Sequence, residues 1–468
     1  MTLGFLLLFA VLIPAGAAPT ARAESFPTGE IVPRVVCEAD PEQTYALYLP
    51  TSYTATRTWP LLYLYDPRKR GALAAERFRE AAERYGWILA SSNNTMSDGP
   101  MAPNVAAINA MWADASRRFP VDPRRVYAAG FSGGARTACL LAQRMDGRIA
   151  GVIACGGGFA DGSPPEKGMP FAVFGTVGNV DFNYGEMRRL DRTLAKLGAK
   201  HRLAVFDGPH SWCPAPVCAE GVEWMELTAI KSGARPKDSV LVERLLRERL
   251  ERAAALERAG RAVDAFLRYA EAVEDFAGLT DTKSADAARM RLEELPAVRK
   301  ELADEERREE KEARSFERLW SDLKAALGSD PPAPLKAIVN QVQVGRLRRD
   351  AGPGRPEPDR LSAARVLEQL YVQTAFYLPR DFASKHDFLR AELSTRIAEE
   401  LKPDRAGAVW YDLACFRAVA GDRRGALGSL RTAVKKGFRQ VDLIETDPDL
   451  ASLREEKDYR AIVEELKR

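Results

Sequence analysis

Strand-like and helix-like segments alternate along the first half of the chain, from about Val32 to Ser232. Short apolar runs predict strands at 44–49, 61–65, 87–91, 125–129, 151–155, 171–174 and 202–206. Segments rich in Ala, Glu and Arg predict helices between them, at 73–85, 104–118, 135–145, 184–197 and 219–230. Such alternation is typical of a largely parallel sheet with helices on both faces. The sequence therefore predicts a doubly wound α/β domain.

The second half of the chain has a different character. After about Gly233 the strand-like runs stop, and the sequence is rich in Ala, Leu, Glu and Arg with helical periodicity. Because 468 residues exceed one ordinary core, we expect an α/β domain at 24–233, a helical region at 234–350 and a C-terminal helical domain at 351–468. Dense mixed charge at 303–318 predicts a solvated helix with i,i+4 ion pairs. The Gly-, Pro- and charge-rich segment 350–359 predicts a loop or linker.

The N-terminus has the pattern of a secretory signal peptide. Leu3 to Ile13 are almost wholly apolar, and Ala21-Arg22-Ala23 fits an A-x-A cleavage site. We therefore expect residues 1–23 to be removed, Glu24 to begin the mature chain, and the protein to be exported to the periplasm or the medium. The alternative is a retained anchor, but the run is shorter than the roughly 20 residues of a spanning helix. No stable membrane span is expected after removal.

The six cysteines and the nearly balanced charge indicate which bonds, cofactors and partners to expect. Cys213 and Cys218 flank Pro-Ala-Pro-Val, and a disulfide between them would close a small loop. Buried free thiols are the favoured interpretation for Cys139 and Cys155, which have apolar surroundings. No C-x-x-C pair, His/Cys cluster or nucleotide-binding glycine loop is present, so neither a metal nor a cofactor is expected. A net charge of +3 argues against nucleic acid as an obligate partner.

The run Gly130-Phe131-Ser132-Gly133-Gly134 fits the pattern G-x-S-x-G. It follows the predicted strand 125–129 and precedes the predicted helix 135–145. In this context a serine lies on a sharp turn with its hydroxyl exposed above the sheet. The flanking glycines let the following helix pack closely where the backbone is strained. Ser132 is therefore a candidate nucleophile.

Only three histidines are present to act as a general base for Ser132: His201, His210 and His386. His210 lies in Phe-Asp-Gly-Pro-His-Ser-Trp, just beyond the last predicted strand. His201 opens that strand and is expected at the far end of the sheet, and His386 lies in the helical region. Elimination therefore favours His210 as the general base.

Residues 32–232 resemble the α/β-hydrolase family. Within it they are similar to the secreted esterase branch of polyhydroxybutyrate depolymerase-like, feruloyl esterase-like and dienelactone hydrolase-like proteins. The resemblance rests on three segments: the sharp turn at Ser132, called the nucleophile elbow, the loop at Asp181, and Pro-His-Ser-Trp around His210. It implies a triad in the order Ser, acid, His, with Asp181 as the leading acid. Weaker acid candidates are Asp161, Glu186, Asp191 and Asp207.

The resemblance also implies an oxyanion hole built from backbone N–H groups. One donor is expected to be Gly133, the residue after the nucleophile. The second should come from the loop at 66–71, where Pro67 has no N–H, so Arg68 or a neighbour is expected. The usual His-Gly of that loop is Tyr65-Asp66 here.

Polar residues near the carboxyl ends of the predicted strands are candidate substrate-binding groups. Asn93, Asn94 and Arg136 would recognise a polar or anionic acyl group, and ordinary loop polarity is the alternative.

The C-terminal region contains repeat-like units. In 410–433 an aromatic residue and four small residues have the spacing of a tetratricopeptide repeat, and this segment resembles that family; the small residues are Ala414, Gly421, Ala426 and Ala433. Phe438 stands where the repeat usually has proline. Ala253, Gly260, Ala265 and Ala272 form a weaker copy, and a third unit within 361–401 has no clear register. The resemblance implies a protein partner; a helical bundle that only stabilises the hydrolase is the alternative.

These features lead to a serine esterase with a Ser132–His210–Asp181 triad, acting on a small-molecule or polymeric ester and carrying a partner-binding helical tail. A non-catalytic hydrolase-fold scaffold whose repeats bind a protein is the main alternative, and its support is the altered loop at Asp66. Cleavage of peptides rather than esters is a third hypothesis.

Overall fold

A computed structural model describes residues 26–467. The predicted signal peptide, residues 1–23, lies outside the described residues. Contacts divide the chain into two compact units, one ending at Asp304 and one beginning at Glu305. The predicted boundary at 233/234 therefore falls inside the first unit.

The first unit contains one eight-stranded sheet. Its strands are β1 (Ile31–Cys37), β2 (Asp40–Tyr48), β3 (Trp59–Tyr65), β4 (Ile88–Ser92), β5 (Val121–Phe131), β6 (Gly151–Cys155), β7 (Ala172–Gly178) and β8 (His201–Phe206). They lie in the order β1-β2-β4-β3-β5-β6-β7-β8. β2 pairs antiparallel with β1 and β4, and all other pairs are parallel. This is the strand order of the α/β-hydrolase fold, which confirms the predicted fold class.

Helices cover both faces of the sheet. They are α1 (Gly71–Tyr85), α2 (Met101–Arg118), α3 (Gly133–Arg144), α4 (Tyr184–Lys196) and α5 (Ala215–Lys231). Alternate residues of a strand point to opposite faces, so Leu61 and Tyr63 pack with α2 and α3 while Leu62 and Leu64 pack with α1 and α5. All of the predicted strands and helices of this region are present, and β1 is an additional edge strand.

Three further helices belong to the first unit: α6 (Ser239–Arg258), α7 (Ala262–Phe276) and α8 (Lys283–Glu293). Ala253, Ala265 and Ala272 are fully buried in the apolar cluster that α6, α7 and α8 share with the end of α5. Asp275 of α7 is buried and accepts hydrogen bonds from Arg202 of β8 and Trp224 of α5. The weaker repeat-like copy is therefore a helical hairpin attached to the sheet.

The next helix, α9 (Pro296–Gly328), contains the division between the two units. The α-helices after it are α10 (Leu335–Gln341), α11 (Val344–Asp350), α12 (Glu357–Val372), α13 (Leu378–Ser384), α14 (Phe388–Leu401), α15 (Ala406–Val419), α16 (Arg423–Lys435), α17 (Val441–Thr446) and α18 (Lys457–Lys467). α15 and α16 form a hairpin at the stronger repeat-like segment. Ala414, Ala426 and Ala433 are fully buried there, and the Tyr411 and Phe438 rings stack with centroids 4.3 Å apart.

The charged segment 303–318 lies within α9, where i,i+4 pairs join Glu310 to Arg314 within the segment and Asp304 to Lys300 just before it. Glu312 differs, because it is buried and its carboxylate accepts hydrogen bonds from the Arg365 guanidinium. Residues 351–356 connect α11 to α12, where a loop was predicted. Between residues 26 and 467, no helix combines the length and the apolar character that crossing a membrane requires.

Candidate active site

Ser132 lies in the sharp turn between β5 and α3. Its φ of 53° and ψ of −119° place it in a region that non-glycine residues rarely adopt, at a cost of about 1–3 kcal/mol. Its N–H donates to the Cys155 carbonyl at 2.8 Å, which holds the turn against β6. A Cβ at Gly134 would lie 2.0 Å from the Tyr65 carbonyl oxygen. Only glycine therefore lets α3 start so close to β3.

The structure brings Ser132, His210 and Asp181 together although 29 and 78 residues separate the bonded pairs in sequence. The Ser132 Oγ to His210 Nε2 distance is 3.0 Å. The other ring nitrogen, Nδ1, lies 2.9 Å from both carboxylate oxygens of Asp181. These distances are within hydrogen-bond reach for a nucleophile, its base and an orienting acid.

The ends of two neighbouring parallel strands position the acid and the base. Asp181 follows β7 and is fully buried, and it also accepts a hydrogen bond of 2.7 Å from the Asn183 N–H. His210 follows β8, and its ring packs against the rings of Phe131 and Phe182, with centroid distances of 4.6 and 4.1 Å. The imidazole is 19% exposed. The ring is fixed by its neighbours while its Nε2 faces the serine.

Several of the other candidate bases and acids make bonds away from Ser132 and His210. His201 begins β8, where its Nδ1 lies 2.9 Å from the Ala199 carbonyl. Asp207 accepts a hydrogen bond from Asn179, and Glu186 pairs with Arg136. His386 lies between α13 and α14 in the second unit.

The two predicted oxyanion donors have different surroundings. Gly133 begins α3, so its N–H has no acceptor within the helix. The N–H of Arg68 instead donates to Asp66 Oδ1 at 2.8 Å. The reason is local, because the Asp66 side chain folds back over its own loop and takes the donor.

The predicted substrate-binding side chains make bonds within the protein. The amide of Asn93 donates to the Pro33 carbonyl, and Asn94 accepts from the Thr44 N–H at 2.9 Å. Because β2 runs antiparallel to β4, its amino end meets the loop after β4 and takes both asparagines. Arg136 donates to the Phe159 carbonyl and pairs with Glu186 at 2.8 Å. These contacts argue for loop organisation rather than substrate recognition.

Solved structures similar to this chain include a fluorophosphonate-binding serine hydrolase of Staphylococcus aureus, with 14% identity, a TM-score of 0.33, and coverage of 39% of this chain and 92% of that chain. A ferulic acid esterase has 16% identity, a TM-score of 0.35, and coverage of 41% and 94%. An esterase of Pyrobaculum calidifontis has 15% identity, a TM-score of 0.34, and coverage of 44% and 87%.

No protein-family model matches the sequence, and neither does any curated protein. The identities and TM-scores of the solved structures are too low to carry an argument about activity. The fold follows from the strand order, and the chemistry has to be argued from the site itself.

Asp66, which the sequence marked only as a departure from the usual oxyanion loop, has a structural role that the sequence did not reveal. It is fully buried and accepts hydrogen bonds from the N–H groups of Arg68 and Arg70, from the Arg70 guanidinium, and from Trp212 Nε1 at 2.8 Å. Trp212 lies two residues after His210, so one carboxylate ties the loop after β3 to the segment that carries the histidine. An acidic residue directly after a buried strand was the visible signal; its partner Trp212 is 146 residues away.

Replacing Asp66 by alanine should lower the free energy of unfolding by about 3 kcal/mol, because each buried donor left unpaired costs about 1–3 kcal/mol. The fully buried donor is Trp212 Nε1, and the Arg68 N–H bond is partly buried. The Arg70 guanidinium is 41% exposed and can turn to water. Urea denaturation measures the change. Trp212→Phe, which removes one donor and keeps a ring, should cost less. An Asp66→Ala variant as stable as the wild type would contradict this role.

The six cysteines are free thiols in the structure, and Cys139 and Cys155 are fully buried as expected. Burial raises the pKa of the Cys139 thiol to about 12, which keeps it protonated and unreactive. Cys213 Sγ lies 2.9 Å from Cys218 Sγ and 3.6 Å from Cys155 Sγ. The disulfide between Cys213 and Cys218 stays a prediction. Within residues 26–467, no group of three or more His, Cys, Asp or Glu side chains is arranged to hold a metal ion.

Proposed function

We propose that this chain is a serine hydrolase that cleaves carboxylic esters through an acyl-enzyme intermediate. One observation carries the proposal: the continuous hydrogen-bonded row from Asp181 through His210 to Ser132, with the serine on a strained, positive-φ turn at the end of β5. In nucleophilic acyl transfer, a buried acid orients the imidazole and the imidazole activates the serine, and these distances allow both interactions.

In the first half of the reaction, Ser132 Oγ forms a bond to the ester carbonyl carbon while its proton passes to His210 Nε2. The carbonyl π electrons move to oxygen and give a tetrahedral oxyanion, which accepts a hydrogen bond from the Gly133 N–H. The intermediate collapses, the bond to the alcohol oxygen breaks, and the alcohol leaves with the proton from His210.

In the second half, water replaces the alcohol. It gives a proton to His210 Nε2 and attacks the acyl-enzyme, and collapse releases the carboxylic acid and restores the Ser132 hydroxyl. Throughout, Asp181 holds the Nδ1–H tautomer and stabilises the imidazolium each time it forms. Burial of Asp181 strengthens this interaction, because the low dielectric around a buried carboxylate screens it little.

Labelling with a fluorophosphonate probe tests the proposal, since the probe reacts with activated serines. The wild-type protein should be labelled, whereas Ser132→Ala and His210→Ala should not. A panel of p-nitrophenyl esters of increasing acyl length, run beside matched anilides, then separates ester from peptide preference. A folded wild type that neither labels nor turns over any substrate would overturn the proposal and favour the scaffold alternative, which the occupied Arg68 N–H supports.

We further propose that the hairpins α6–α7 and α15–α16 bind a protein partner and that the protein is exported. The support is the small-residue spacing of the two hairpins and the signal-like sequence at 1–23. N-terminal sequencing of the protein from a periplasmic fraction should give Glu24 as the first residue. A chain that keeps Met1 in the cytoplasmic fraction would contradict export.

A further inference from the structure

In the loop after β3, the backbone N–H groups that could complete an oxyanion hole already donate hydrogen bonds within the protein. Pro67 has none, and Arg68 and Arg70 donate theirs to Asp66 Oδ1 at 2.8 and 3.3 Å. The N–H of Lys69 donates to the Thr95 carbonyl at 3.1 Å. If the Gly133 N–H has a second donor beside it, residues 67–70 do not supply it from their backbone.

A hydroxyl from the next loop lies beside Gly133. Ser97 follows β4, and its Oγ has less than 1 Å² exposed and no hydrogen-bond partner among the described residues. A Cβ added to Gly133 would lie 1.9 Å from this oxygen and 2.8 Å from Ser97 Cβ. Since a carbon–carbon single bond is about 1.5 Å, Ser97 Oγ lies within about 3.4 Å of the Gly133 Cα.

The loop holds Ser97 firmly in this place. Its own N–H donates to the Pro67 carbonyl at 2.9 Å. The N–H of the preceding residue, Met96, donates to Oδ1 of the buried Asn104 at 2.9 Å, and the Met96 carbonyl accepts from Asn104 Nδ2 at 2.7 Å. Met96 also pairs with Arg68 through an isolated bridge. The Ser97 hydroxyl is therefore positioned before any substrate arrives.

We propose that the Ser97 hydroxyl is the second oxyanion donor, beside the Gly133 N–H; this rests on the proposed serine hydrolase function. A buried hydroxyl without a partner is unfavourable in the resting protein. It gains a strong acceptor only when the substrate carbonyl oxygen becomes negative. An interaction that is made mainly in the transition state raises kcat rather than substrate affinity.

The test is Ser97→Ala, compared with wild type on a p-nitrophenyl ester. Loss of one oxyanion donor typically lowers kcat by about 100-fold or more, and KM should change less than about threefold. Ser97→Thr, which keeps the hydroxyl, should retain more of the wild-type kcat than Ser97→Ala does. Ser91→Ala is the matched control, because Ser91 is a buried serine within β4 whose hydroxyl also lacks a partner among the described residues, and it should leave kcat unchanged.

A tetrahedral analogue gives a second reading. A trifluoromethyl ketone adds Ser132 Oγ to its carbonyl and places an oxyanion in the hole, so its inhibition constant should rise in Ser97→Ala by about the same factor as kcat falls. The inhibition constant of the carboxylic acid product should not change. An active wild type with an equally active Ser97→Ala variant, or a change in KM alone, would overturn this inference and leave the proposed function standing. An inactive wild type would overturn both.

Discussion

Replacing Ser132 by alanine should lower kcat for an ester substrate by about 10⁶-fold, the loss typical of removing a triad nucleophile. In the proposed mechanism the hydroxyl oxygen attacks the ester carbonyl, and its proton passes to His210 Nε2, which lies 3.0 Å away. His210→Ala should lose a similar amount, because a serine without its base is a weak nucleophile. Since the two residues act as a unit, the double variant should be no slower than the worse single variant.

The Ser132→Ala variant should fold as well as the wild type. The Ser132 side chain is partly exposed, and the imidazole that loses its partner is 19% exposed and can bind water. Ser132→Gly supplies a matched control for the turn, because glycine adopts a φ of 53° without penalty. It should be as inactive as Ser132→Ala and more stable by about 1 kcal/mol in urea denaturation. An active Ser132→Ala variant, or one that unfolds, would contradict the role assigned to the elbow.

The sheet and the elbow were predictable because their signals are local. Each parallel strand is an apolar run bounded by turn residues, and the elbow glycines follow β5 directly. The scarcity of histidine then limited the base to three positions, of which only His210 follows a strand of the sheet. Strand order put the ends of β5, β7 and β8 near one another, which brings Ser132, Asp181 and His210 to one edge.

Element boundaries were less predictable where the usual signals are missing. β1 contains Pro33 and Arg34, which break its alternation, and it is stabilised by pairing with β2. α1, α2 and α5 begin two to four residues earlier than predicted. The residues before them, Arg70, Pro100 and Pro214, make no side-chain cap, so the sequence carries no cap signal for these starts. A sequence search for Ser, Thr, Asp or Asn caps does not find such starts.

The polar detail around the triad could not be read from single loops. Whether Arg68 has a free N–H depends on where the Asp66 side chain turns, and that depends on Trp212, which comes from the other end of the α/β domain. Substrate binding and ordinary loop polarity were both open for Asn94 because it follows a parallel strand, and the antiparallel β2 beside it takes its side chain. Whether a polar side chain at a strand end is available to a substrate therefore depends on the neighbouring strand.

Asp181→Asn should lower kcat by about 10⁴-fold, the loss typical when the orienting carboxylate of a triad becomes an amide. The carboxylate has two acceptor oxygens 2.9 Å from His210 Nδ1, and one of them also accepts the Asn183 N–H. An asparagine keeps one acceptor oxygen and places an NH₂ group at the other position. That group would face the Nδ1–H as donor against donor, so the ring would favour the tautomer with its proton on Nε2. A proton on Nε2 blocks acceptance of the serine proton.

Asp207→Asn is the matched control for this prediction, because Asp207 is the nearer acid in sequence and bonds to Asn179 rather than to the imidazole. Its kcat should stay within about threefold of wild type, since removing a solvent-exposed charge outside the triad changes local energies little. Steady-state kinetics on one ester substrate, with thermal unfolding of each variant, compares the two. Equal losses in both variants would show that general charge near His210 matters rather than its orientation. A greater loss in Asp207→Asn would transfer the orienting role to that residue, and the 2.9 Å contacts of Asp181 would then have no catalytic consequence.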